Sequence, residues 1–477
     1  MRRHYIPVRL VWLLLVMLVF FAFPPLASAE DETAPATAGA EEMQRRSFTT
    51  GTDFFDDAAL SGGLYYFQRD RRRYNRDKGR YTNNLNHATV QGNLDFSSGF
   101  VGGFVGVDFG VFASADLHNS GSPDHEMNFF PWANPWHPNW EKKDARDGVS
   151  IYKASVKLKA KSLWANTGYF QPAGPGVLGV NWSIMPGTYR GVNAGYTADG
   201  LSVAFAWADS YKAPWYTGMN RFRKNDGETN VPWLWSSGIR YDFASGLSLE
   251  AAYGESKGHL RASHLKARQT INFDESQNSR LHIGYQLYIM DDNDDDGESV
   301  NDNFAGIATQ HYAYAHFEYE QWLFKLEATV TRAPVSNEYH QGFFVYRLTD
   351  RNGSSKGAYD IWWDARSDWD HHNEKAVYAY VQRGLDDLLP LAGFTAGAGA
   401  VIGWDGEAYD TAEHLKEWAF VADIGYTHPT GPLKGAFAKL HYTEYRNGSH
   451  KGSWSPYKNA FESERDIKLF MGIPFDL

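Results

Sequence analysis

The chain has no cysteine, and after residue 23 it has no apolar run long enough to cross a bilayer as a helix. The first absence excludes disulfides and an acylated-cysteine lipoprotein anchor. The second leaves a closed β-barrel as the way to span a membrane, because lipid offers no partner to an unpaired backbone group. Cations are outnumbered, with 46 Lys and Arg against 57 Asp and Glu for a net charge of −11. That balance argues against nucleic acid as a partner, since a phosphate-binding surface needs a basic excess, but not against a local basic patch. Gly-x-Ser-x-Gly, His-Glu-x-x-His and a glycine-rich phosphate loop are all missing. A barrel hydrolase needs only scattered Asp, His and Ser at its rim, and Asp370-His371-His372 is the one local cluster that could serve. Capping a loop is its simpler role, and neither catalysis nor a cofactor is expected.

What is present begins with an export signal. Arg2, Arg3 and Arg9 precede the apolar run Leu10 to Phe23, and Ala27-Ser28-Ala29 has signal-peptidase spacing. Residues 1–29 are therefore read as a cleaved leader and 30–52, rich in Ala, Thr, Pro and Glu, as a periplasmic tail. The remainder, 53–477, is read as an all-β transmembrane antiparallel barrel in the bacterial outer membrane. Aromatic residues make up 16% of the chain and 45 residues are glycine, a composition that suits strands half in lipid and half in water.

Alternation carries the fold reading. Ile467, Leu469, Met471, Ile473, Phe475 and Leu477 share one face of a terminal strand. The same period recurs at Val90/Gly92/Leu94/Phe96, Val105/Val107/Phe109/Val111, Tyr152/Ala154/Val156/Leu158 and Trp418/Phe420/Ala422/Ile424. About eighteen such strands fit the chain, an even number as bacterial barrels require. Their connections alternate long and short: Asp70 to Asn86, Ala115 to Gly148, Gln171 to Thr188 and Asp209 to Pro232 are long, whereas Lys161 and Asp199-Gly200 are tight. Long links are assigned outside the cell and tight turns to the periplasm. The longest, Ala333 to Asn373, has room for an extra hairpin at Phe343 to Leu348.

Blocks spread over nearly the whole mature chain resemble the chitoporin branch of the OprD-like outer-membrane porins. They include LSGGLYYFQRDRRR at Leu60 to Arg73, IYKASVKLKAKSLWANTGYFQP at Ile151 to Pro172, NWSIMPGTYRG at Asn181 to Gly191 and YKAPW at Tyr211 to Trp215. DIWWDARSD at Asp360 to Asp368, EKAV at Glu374 to Val377, KLHYTEY at Lys439 to Tyr445 and ERDIK at Glu464 to Lys468 complete them in order. The resemblance implies an eighteen-stranded, substrate-selective porin with a basic ladder in its lumen and chitin-derived oligosaccharides as cargo. It also implies contact with outer-membrane lipid and lipopolysaccharide, and with the barrel assembly machinery during biogenesis.

Lumen chemistry follows from alternation as well. With the apolar set of the fourth strand in lipid, Lys153, Lys157 and Lys159 face the pore, and Lys266 with Arg268 repeat this on the tenth. They either select solutes or balance lumen carboxylates such as Asp95, Asp108 and Glu250. Trp207, Trp235 and Trp418 suit the interfacial girdles. Trp132, Trp136, Trp140, Trp182, Trp215, Trp362, Trp363, Trp369 and Trp454 fall in external links, where rings can stack on sugars or pack the loops together. In the third long link, Trp182, Ser183, Tyr189 and Arg190 are candidates for the constriction. Trp362, Trp363, Asp364 and Arg366 are candidates for the mouth, where an internal ion-pair network is the other reading. Asp292 to Gly297 opens like a calcium loop, but Asn303 stands where the bidentate glutamate belongs, so an acidic external loop is expected.

Overall fold

A computed structural model describes residues 51–121, 147–181, 183–274, 278–292, 301–337, 339–340, 342–354, 356–389, 391–408, 411–448 and 462–476. The leader, most of the tail, Trp132, Trp136, Trp140, Trp182, Trp454 and the calcium-like run after Asp292 lie outside them. In chain order the first strands are β1 (Ala59–Asn75), β2 (Arg80–Ser97), β3 (Val105–Gly121), β4 (Gly148–Ala160), β5 (Leu163–Phe170), β6 (Thr188–Ala198) and β7 (Leu201–Lys212). Two short ones follow, β8 (Asn220–Arg223) and β9 (Asn230–Val231). Next come β10 (Leu234–Asp242), β11 (Leu247–Ser256), β12 (Leu260–Asp274), β13 (Ser279–Asp292), β14 (Ile307–Tyr319) and β15 (Trp322–Arg332). The last are β16 (Lys375–Gly384), β17 (Phe394–Ala408), β18 (Thr411–Thr427), β19 (Phe437–Asn447) and β20 (Glu464–Asp476).

The sheet closes on itself. β1 pairs antiparallel with β2 on one side and with the terminal β20 on the other, Ser61 opposite Asp476 through Arg73 opposite Glu464. β8 and β9 form a hairpin attached to the end of β7, and β10 takes the next place beside β7. The wall therefore has eighteen antiparallel strands, as alternation predicts, and no edge is left to find a foreign strand. Val90, Leu94, Phe109, Val156, Phe205, Ile283, Ile402, Phe420, Ile424, Ile467 and Ile473 are exposed around the outside, the apolar belt that lipid would cover.

Tight turns mark one rim. Lys161, Asp199 and Glu320 each take a positive φ between 51° and 54°, and Gly200 follows Asp199 at φ 79°, the twist that two-residue hairpins need. At the same rim Phe100 donates its N–H to Gly51 O at 2.9 Å and Gly99 to Phe54 O at 3.1 Å. Residues 51–54 thus lie against the β2–β3 turn.

Three expectations are corrected. The link from Asp70 to Asn86 is not a loop: β1 and β2 run on as a ladder to Asn75 opposite Arg80, and only 76–79 turn. Tyr152 does not face lipid with Ala154 and Val156. The register slips where Val111 pairs Ile151 and Gly110 pairs Lys153, and this bulge turns Tyr152 inward beside Lys153. No hairpin forms at Phe343 to Leu348 among the described residues. That stretch is nearly all buried and makes only the isolated bridge of Phe343 with His371.

The core of the molecule sits inside the barrel. Phe344, Tyr346, Leu348, Ile361, Trp363 and Trp369 from the 333–374 link pack with wall residues Tyr288, Tyr312, Tyr378 and Tyr445 in one buried cluster. Burying each large ring is worth about 1.5–3 kcal/mol, so this link is held as firmly as a protein interior.

Candidate functional site

Two links fold inward and meet. In 171–187, Gln171 Nε2 donates to Tyr152 O at 3.0 Å, Ala173 N–H to Asn193 Oδ1 at 2.8 Å and Val177 N–H to Ser236 Oγ at 2.7 Å. Each partner is an inward group of the wall, so the link follows the wall's inner surface. Ala358 of the longest link then donates to Val177 O at 3.0 Å. A Cβ on Gly179 would lie 1.8 Å from Gly357 O, so only glycine permits the two backbones to approach this closely.

The fourth-strand lysines face inward as expected, and the wall neutralises two of them. Lys157 Nζ, fully buried, lies 3.0 Å from Asp108 Oδ1 and donates to Ser97 Oγ at 2.6 Å. Lys153 Nζ lies 3.3 Å from Asp95 Oδ1, and the Tyr152 hydroxyl donates to the same carboxylate. Lys159 places its ammonium 5.6 Å from the Phe100 ring at the periplasmic turn.

The tenth-strand cations, on β12, are met by the loop. Asp360 Oδ2 accepts from Lys266 Nζ at 2.9 Å and from Arg268 Nη2 at 2.6 Å. A few residues on, Asp364 Oδ1 accepts from Lys468 Nζ of β20 at 2.6 Å, with His441 of β19 at 3.5 Å, and Arg366 pairs with the buried Glu464 of β20. Within eight residues the loop therefore touches strands eight places apart in an eighteen-strand wall. Burial raises the Asp360 carboxyl, but Lys266 and Arg268 outweigh it and hold it far below the ordinary carboxylate range. Lys468 and His441 likewise overcome the burial of Asp364. The mouth candidates Asp364 and Arg366 thus form the ion-pair network that was their second reading.

The tryptophans divide. Trp362 is 65% exposed, whereas Trp363 is buried, stacked on Tyr378 at 5.4 Å and donating Nε1–H to Glu327 Oε2 at 2.6 Å. Trp369 is buried against Trp363 and Tyr445, and Trp215 packs part-buried beside Tyr216. These three hold loops in place; Trp362 is the most exposed of the described loop tryptophans. Tyr189 is buried with its hydroxyl donating to Gly179 O at 2.9 Å. Arg190, next on β6, points to the opposite face. There it makes a two-pronged pair with Asp209 at 2.8 and 2.7 Å, so it leaves the constriction set. Ser183 is part-buried, two residues before Met185, which packs on Phe112 and Tyr152.

Alternation also places rings in the lumen that were not singled out. Tyr312, Tyr314 and His316 line the inside of β14 with centroids 5.4 and 4.8 Å apart, and Tyr378 and Tyr380 line β16 at 6.1 Å. The signal was there, since Tyr alternates with Ala along both strands. Tyrosine suits either face of a barrel, and its partners across the lumen decide which.

A closed eighteen-strand barrel with an apolar outer belt and two infolded loops is an outer-membrane channel whose bore is set by those loops. Residues 52–475 match the family described as outer membrane porin, OprD family. The chain belongs to the OprD family of outer-membrane porins. It is 37% identical over 444 residues to the chitoporin of Escherichia coli, covering 89% of this chain and 92% of that protein. Among solved structures it resembles OccAB1 of Acinetobacter baumannii, with a TM-score of 0.71 at 16% identity over 90% of this chain and 99% of the other. It also resembles OpdK of Pseudomonas aeruginosa solved with vanillate, with a TM-score of 0.66 at 16% identity over 89% and 100%. The barrel fold is shared with both.

Proposed function

We propose that this porin admits chitin-derived oligosaccharides by passive diffusion and does no covalent chemistry. The observation that carries this is charge cancellation: Lys153, Lys157, Lys266, Arg268, Arg366 and Lys468 each face a carboxylate within the protein. Cations that are paired in this way offer little net attraction to an anion, while rings and fixed dipoles remain to bind a neutral, hydroxyl-rich solute. The chitoporin relative, similar over most of both chains, supports the same reading. Trp362, Ser183 and the part-buried Tyr314 of β14 and Tyr380 of β16 are the proposed contacts, and Trp182 is kept as a proposal from sequence. Around the belt the partners are lipid and lipopolysaccharide, with the assembly machinery acting during insertion.

Single-channel recording in a planar bilayer tests the proposal. Chitohexaose should interrupt the current in discrete blockages and maltohexaose far less, because only the former carries acetamido groups. Equal blocking by both would reduce the protein to a general porin, and block by small carboxylates alone would favour an anionic substrate.

A further inference from the structure

Where the 333–374 link rejoins the wall, three carboxyl groups are closed off from water. Asp370, Glu374 and Glu417 of β18 are each 1% exposed or less. Asp370 has Lys356 at 2.8 Å. Glu417 accepts from Ser367 Oγ at 2.7 Å and from the Tyr445 hydroxyl. Glu374 Oε2 accepts the N–H of His371 at 3.0 Å and lies 3.0 Å from His371 Nδ1. Its other oxygen, Oε1, is equally buried with no N–H or hydroxyl donor, and a hydrogen bond between Glu374 and the Glu417 carboxyl exists only while one of them holds a proton. One ligating atom from each of His371, Glu374 and Glu417 lies within 4.8 Å of the other two, the only such trio among the described residues.

Fully ionised, three carboxylates would face one lysine and one imidazole, and an uncompensated buried carboxylate costs several kcal/mol. Either a proton or a metal cation supplies the balance, and Oε1 of Glu374 marks where it sits. We propose that His371, Glu374 and Glu417 bind one divalent transition cation of the zinc type, which pins the end of the longest link to β18. One imidazole with two carboxylates matches that class better than calcium or magnesium, which take oxygen ligands throughout. Ser367 and Tyr445, already donating to Glu417, would orient that ligand. The cation would join loop to wall at a point none of the ion pairs above reaches.

The test uses the tag-free full-length porin, folded in detergent and stripped with a chelator. Titration with zinc chloride should show one saturable site per chain and a rise in the temperature at which the barrel loses its folded gel mobility. Glu374→Gln and Glu417→Gln keep side-chain size and should weaken zinc binding at least tenfold while the folded mobility persists. The wild-type measurement stands alone if either variant misfolds. Failure of zinc to saturate or to raise that temperature overturns the proposal, as does equal binding by both variants. A proton shared between Glu374 and Glu417 would then supply the missing charge.

Discussion

The lumen carries two basic clusters that differ in where their counter-charges come from. On β4, Lys153 and Lys157 are neutralised by Asp95 of β2 and Asp108 of β3, groups fixed in the same wall. On β12, Lys266 and Arg268 are neutralised chiefly by Asp360, which arrives on the longest link. The wall pairs exist whenever the barrel exists. The loop pairs exist only while the loop is docked, so the same chemistry serves stability in one place and sets the electrostatics of the open path in the other.

The comparison breaks most easily at the wall. Asp108→Asn leaves the fully buried Lys157 ammonium without its carboxylate, and removing one partner of a buried pair costs about 3–5 kcal/mol. Urea unfolding of the detergent-folded protein should show a loss of that order with little change in the ion selectivity of the channels that do form. A stability unchanged within about 1 kcal/mol would mean that Ser97 and Phe100 suffice to hold the ammonium.

Asp360→Asn should do the reverse. The loop keeps Asp364, Arg366 and its buried rings, so the barrel and most of the docking survive, but two cations on β12 lose their main partner. Reversal potentials in a salt gradient should move towards anion selectivity, and the further change Lys266→Gln should move them part of the way back. Unfolding should shift less than in Asp108→Asn. If both substitutions act alike on stability and selectivity, the distinction between wall pairs and loop pairs fails.

Acid sharpens the same contrast. The carboxyls of Asp360 and Asp364 sit below their unfolded values because the cations beside them outweigh burial. A depressed carboxyl stabilises docking above the unfolded pKa of about 3.9, and that contribution disappears only as pH falls through the lower folded value. Conductance and sugar blockages should therefore hold from pH 7 to about pH 4 and change only well below it. A loop that released near pH 5 would show that its aspartates titrate as free groups.

How much of this was legible in the sequence divides along the same line. Strand count, barrel closure and the inward turn of Lys153 and Lys157 followed from alternation, a local property that the lipid face enforces. Tyr152 was misplaced because one bulge between β3 and β4 resets the alternation, and a bulge leaves no compositional mark. The roles within DIWWDARSD were not legible. Trp362 and Trp363 are adjacent and identical, yet the partners that separate them are Glu327 and Tyr378 of distant strands. Asp360 could not be matched to Lys266 for the same reason, since 94 residues part them. The inward rings of β14 and β16 lay between, visible as alternation and ambiguous as to face.

The smallest expected effect concerns those adjacent tryptophans. Trp362→Ala removes the exposed ring and leaves the docking network intact, so stability should stay within about 0.5 kcal/mol. Chitohexaose blockages should shorten by roughly the factor of five that a loss of about 1 kcal/mol implies, the scale of one aromatic contact. Trp363→Phe keeps a ring against Tyr378 but removes one of the two donors to Glu327 Oε2, which retains the Tyr312 hydroxyl, at a cost of about 1.5 kcal/mol. Its expected signature is lower stability with noisier open channels, and no selective loss of sugar blockages. Should Trp363→Phe shorten the blockages while Trp362→Ala leaves them unchanged, the exposed ring has no part in recognition and the sugar path runs along Tyr314 and Tyr380.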